Sequence, residues 1–178
     1  MTVFAFIITG LILLTLQTTV LMPEPLWYGS PDLCFILTAY LAYRMNYLAG
    51  ILIILPVSWF SDVFCGTVLG TYPIAYLSAF LLLKYISQHM PVRESLYQLP
   101  LIGAVYLIIH RLLYFGLGFI EPTPLSAWSW PVILIKALIM VLLAFPLLRF
   151  FDAIARRMER FTHHSGDLFH IRSGNRFR

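Results

Sequence analysis

The stretch Ser58-Trp59-Phe60-Ser61-Asp62-Val63-Phe64-Cys65-Gly66-Thr67-Val68-Leu69-Gly70 sets an acid in an otherwise apolar run and follows it with two glycines at four-residue steps. Four residues is close to one helical turn, so a continuous helix would bring Asp62, Gly66 and Gly70 onto one face. A carboxylate and two bare backbone patches would then share a surface that a neighbouring helix can approach closely. An ionisable group at membrane depth is costly and marks a site with a partner. Two plainer readings stand beside this one. In the first, residues 62–67 form an extracytoplasmic turn, with Asp62 capping it in water and Gly66 supplying a positive φ. In the second the helix continues, and the glycines are packing notches within the protein itself.

Outward from this stretch the chain is apolar almost throughout. Of 178 residues, 60% are hydrophobic and 11% charged, and the mean hydropathy is +0.84. Together with apolar runs long enough to cross a bilayer, these values describe a polytopic membrane protein. No glycine-rich phosphate loop, nucleophile elbow or acid pair points to an enzyme. No cofactor, metal or nucleic-acid partner is implied, and His163, His164 and His170 lie in a polar tail without the ligand spacing of a zinc site.

The hydrophobic runs at residues 3–21, 31–43, 47–62, 68–86, 96–119 and 131–151 predict an all-α bundle of six transmembrane helices. No linker divides residues 1–151, which form one membrane domain, and residues 152–178 form a short basic tail. The first run lacks a basic leader and a small-residue cleavage pattern, so it reads as a retained span. At the start of the second, Ser30 serves as a cap, Pro31 takes the first helical position, and Asp32 lies near the positive end of the dipole. Pro56 is expected to kink the third.

Charge placement orients this layout. Connections 23–30, 62–67 and 120–130 hold Glu24, Asp62 and Glu121 but no Lys or Arg. The others hold Arg44, Lys84 and Arg93, and the basic residues from Arg149 onward fill the tail. The positive-inside rule then places both termini in the cytoplasm. Arg111 and Lys136 remain within spans, in the same outer half as Asp62. A buried cluster pairing Asp62 with Arg111 or Lys136 answers their cost, and Lys136 can also snorkel to the interface. Cys34 and Cys65 could meet near the outer face as a disulfide, or lie there as small buried hydrophobes. His110, beside Arg111, is a proton-shuttle candidate or a packed histidine with one hydrogen bond.

Ser30-Pro31-Asp32 opening an apolar helix, then Arg44, then Asp62-x-x-x-Gly66-x-x-Leu69-Gly70 opening the next, resembles the MreD family of rod-shape-determining proteins. The likeness covers mainly residues 30–85. It implies a bacterial inner-membrane component of the cell-elongation machinery, with no catalysis of its own. Such a protein binds MreC and links cytoplasmic MreB filaments to the glycosyltransferase RodA and its penicillin-binding transpeptidase. The family's fold is similar to the S components of energy-coupling-factor transporters, which supplies an alternative. In that case Asp62, His110, Arg111 and Lys136 would bind a small vitamin-like or anionic solute. The basic tail is expected to lie against anionic membrane lipids.

Overall fold

The computed structural model of the chain describes residues 2–20, 31–66, 68–89, 95–120 and 130–170. All regular structure among them is helical: α1 (Thr2–Val20), α2 (Leu33–Arg44), α3 (Tyr47–Cys65), α4 (Thr71–His89), α5 (Ser95–Ile120) and α6 (Trp130–His170). Three stretches are long and apolar enough to cross a membrane: Tyr47–Cys65, Gln98–Gly116 and Ile133–Met158. Leu48, Leu112, Leu138 and Leu142 point outward from them and stay largely exposed, which suits a lipid-facing surface and would be costly in water.

The second helix is the hub. It has 12 residues, of which Leu33 through Ala42 are all buried, and a helix apolar on every side belongs inside a bundle. By the helical rise it is about 18 Å long, well short of the hydrocarbon thickness. It packs against α1, α3, α4, α5 and α6. Its aromatic residues reach four neighbours: Phe35 meets Tyr76 and Tyr106 edge-on, with centroids 6.4 and 5.2 Å apart, and Tyr40 stacks on Phe6 at 5.7 Å and meets Phe151 at 5.3 Å. Residues 26–29, which could lengthen this span, lie outside the described residues, as do Ser30, Arg93, Glu94, Glu121 and the remaining loop residues of the sequence layout.

Contacts at the helix ends fix relative directions. Near the end of α1, Gln17 Oε1 accepts from the Leu33 N–H at the start of α2, at 3.0 Å. At the opposite end of the bundle, Lys84, late in α4, donates to the Met45 carbonyl that follows α2. Asp152 of α6 meets Tyr40 and Arg44 at the end of α2. The first four helices therefore alternate up and down, and α6 runs with α2 and α4. The last helix continues without a break past residue 151 into the tail, to His170.

Close helix approach depends on glycines other than the two singled out in the sequence. A Cβ on Gly10 would lie 2.7 Å from Val57 Cγ2, and one on Gly103 would lie 2.8 Å from Val141 Cγ2. A Cβ on Gly50 would run into the Phe80 ring. These notches serve the α1–α3, α5–α6 and α3–α4 contacts respectively. At Gly66 and Gly70 an added Cβ meets nothing within 4 Å, so the packing-notch reading of those two residues is corrected.

Gly50→Leu should overpack the α3–α4 contact at a cost of about 1–3 kcal/mol. Thermal unfolding in detergent is expected to show a lowered midpoint for Gly50→Leu. Adding Phe80→Ala should return part of the loss by making room for the new side chain.

Candidate functional site

The third helix stops where the backbone turns left-handed. Gly66 takes φ 62° and ψ 30°, and its N–H bonds back to the Asp62 carbonyl. Gly70 also has positive φ, at 101°. A helix cannot continue through such residues, and glycine adopts them without a Cβ penalty. The expected single helical face carrying Asp62, Gly66 and Gly70 therefore does not form. Asp62 lies in the last turn of α3, Gly66 caps it, and Gly70 leads into α4.

Asp62 nevertheless organises the turn. Its side chain, 1% exposed, folds across the loop to the start of α4. Oδ2 accepts from Gly70 N at 2.6 Å and Oδ1 from Tyr72 N at 2.9 Å. The first N–H groups of a helix have no partner within it, and their end of the dipole is positive. A carboxylate answers both demands. Asp62 is thus a cap, as the turn reading expected, but a buried one rather than one in water. Thr71 completes the turn, donating through N and Oγ1 to the Val68 carbonyl at 3.1 and 2.7 Å.

A second acid does the same for α2. Asp32, 6% exposed, is the N-cap residue, and its Oδ1 accepts from Phe35 N at 3.1 Å. The cap is Asp32 itself rather than Ser30, and buried Pro31 precedes the helix instead of opening it. The Tyr76 hydroxyl, one turn beyond Tyr72 on α4, reaches Asp32 Oδ1 and Oδ2 at 2.8 and 2.9 Å. The rings of Tyr72 and Tyr76 lie 5.4 Å apart. Asp62 sets the start of α4, and Asp32 holds its next turn against α2.

Lys136 on α6 lies close enough to Asp32 for their charges to interact, and it also acts on His110 of α5. Tyr106 on α5 is within the same field. His110 stacks on Tyr106 with centroids 3.9 Å apart, and its Nδ1 sits 3.2 Å from the Tyr106 carbonyl. Arg111 lays its guanidinium over Phe115 at 4.5 Å. Its helix packs on α2, α4 and α6. Cys34 and Cys65 are both free thiols.

Gln17, Tyr72, Tyr76 and Tyr106 were not singled out in the sequence. The available signals were a lone amide near the end of an apolar span, and tyrosines four residues apart just after Gly70.

Asp62→Ala should leave the Gly70 and Tyr72 N–H groups without an acceptor and cost about 1–2 kcal/mol. Asp62→Asn keeps one acceptor oxygen and should fall between Ala and wild type. The check is the thermal midpoint of the purified protein in one detergent.

No protein-family model, characterised protein or solved structure matches this chain.

Proposed function

We propose that the chain is a non-catalytic scaffold of the bacterial cell-elongation complex, a member of the MreD family that binds MreC in the inner membrane. On this reading it spans the membrane six times with both termini in the cytoplasm. It couples MreB filaments to RodA and its transpeptidase, and so supports rod shape. The observation that carries the reading is the role of the two acids that define the sequence resemblance. Asp32 and Asp62 are both engaged in holding helix starts, as a rigid platform requires. A solute site requires polar groups left over for a ligand.

The platform has an outward edge. Val63 and Leu69 flank the joint and are 61% and 71% exposed, and the backbone at Gly66 and Gly70 is open. An apolar partner helix, or the periplasmic base of a bitopic protein, can rest there without displacing a side chain. The alternative, an S component taking up a small solute, draws on Asp62, His110, Arg111 and Lys136, of which Lys136 interacts electrostatically with His110.

Val63→Trp and Leu69→Asn alter this edge without touching the core. Each is expected to abolish co-purification with MreC while the protein accumulates normally. Co-purification of an energy-coupling ATPase module in place of MreC would establish the alternative. Reporter fusions after Glu121 and after Arg160 should read opposite sides of the membrane, because the loop is acidic and the tail basic. The same side for both would overturn the six-span layout.

A further inference from the structure

The end of the bundle opposite Asp32 and Asp62 holds a cavity of about 270 Å³ between α2, α5 and α6. Its polar wall is formed by Tyr40, Tyr43, Arg44, Gln98, Arg149 and Asp152. We propose that this cavity binds a phosphate group carried by an amphiphile or a soluble phosphoester. The proposal goes beyond the scaffold reading and does not depend on which partner occupies the other end.

Three observations carry it. The Tyr43 hydroxyl is buried and has no hydrogen-bond partner among the described residues. A buried unsatisfied hydroxyl is uncommon in folded proteins and calls for a water, an ion or a ligand to complete it. It is a donor, as a phosphate oxygen requires. Next, the lining is net cationic. Asp152 is already engaged by the Tyr40 hydroxyl at 3.2 Å and by Arg44 Nη2 at 3.4 Å. One carboxylate cannot balance both Arg44 and Arg149, and Arg44 offers further N–H groups beyond the one on Asp152. Finally, Arg149 is fixed by its face: the guanidinium lies over the Phe145 ring at 4.3 Å. Stacking uses the plane of the group and leaves its edge donors directed outward, the geometry suited to bidentate phosphate recognition.

The surroundings suit an amphiphile. Phe145 and Leu148 form the apolar side of the cavity, and Leu142, one turn toward the membrane centre from Phe145, is 76% exposed. A phosphate held by Tyr43, Arg44 and Arg149 would leave an acyl chain free to run along this face of α6. The volume lies just below the range of small-molecule sites, about 300–1,000 Å³, and fits a headgroup better than an entire drug-sized ligand.

The test uses the full chain, purified in a neutral detergent and stripped of lipid, with native mass spectrometry as readout. Phosphatidylglycerol is titrated against a glucosyl diacylglycerol with the same acyl chains, which lacks phosphate. Wild type is expected to prefer phosphatidylglycerol at least tenfold. Arg149→Gln should remove most of that preference, and Tyr43→Phe should reduce it severalfold with the thermal midpoint kept. Glycerol phosphate is then added as competitor. Displacement at matched concentration assigns the site to soluble phosphoesters, and resistance assigns it to lipid. Equal binding of the two lipids, with no binding of glycerol phosphate, would overturn the proposal. So would binding that is unchanged in both Arg149→Gln and Tyr43→Phe.

Discussion

Helix ends inside an apolar bundle have no water to satisfy their backbone groups, and in hydrocarbon each unsatisfied group costs several kcal/mol. Two carboxylates meet this demand here, and one end of the bundle follows from them. Asp62 joins the end of α3 to the start of α4: its carbonyl takes the Gly66 N–H, and its carboxylate takes those of Gly70 and Tyr72. That fixes the hairpin. One turn later Tyr76 reaches Asp32, which caps α2, and so the hairpin is locked onto the buried central helix. Because α2 is too short to carry its first turn out to the headgroups, its cap has to lie within the protein. A side chain that stays polar and accepts several bonds is the means.

The helices were legible in the sequence because hydrophobic run length and punctuation are local properties. The expected second, third and fifth spans begin within two residues of the helices observed at Leu33, Tyr47 and Ser95. Partners were less legible. Charge pairing directs attention from Asp62 to Arg111 and Lys136 and away from the Gly70 and Tyr72 N–H groups that donate to it, because a backbone N–H is carried by every residue except proline and announced by no residue type. The tight notches were missed for a related reason. Whether Gly10, Gly50 or Gly103 is required is decided by Val57, Phe80 and Val141 on the facing helix. Gly66 and Gly70 drew attention through their spacing from an acid, and that spacing has a different cause, a turn that needs positive φ twice.

The two ends of the bundle treat charge in opposite ways. At one end Asp32 and Asp62 are buried, and their bonds include backbone N–H groups and the Tyr76 hydroxyl. The short acidic side chains act as parts of the frame, so that end is stiff and its outward edge is apolar. At the other end Arg44 is 62% exposed at its side chain and bonded to Asp152 at 3.4 Å, a longer and wetter contact of the kind that contributes little to stability.

This asymmetry has a consequence for how the molecule can work in a membrane. A rigid joint can present a fixed apolar edge to a partner because nothing in it must be rebuilt on contact, which limits the ordering cost of association. A solvated cationic cavity does the reverse: its arginines keep donors in reserve, and their attraction for an anion is set by the surroundings instead of by internal pairing. Continuity of α6 from Trp130 to His170 places Asp152 and Arg149 on the same helix as the basic segment that begins at Arg156. An anion held by Arg149 would therefore bear on the position of the basic segment that follows it. The second helix, touching α6 through Tyr40 and Phe151 at 5.3 Å and α4 through Asp32 and Tyr76, is the packed element through which the two ends share one frame.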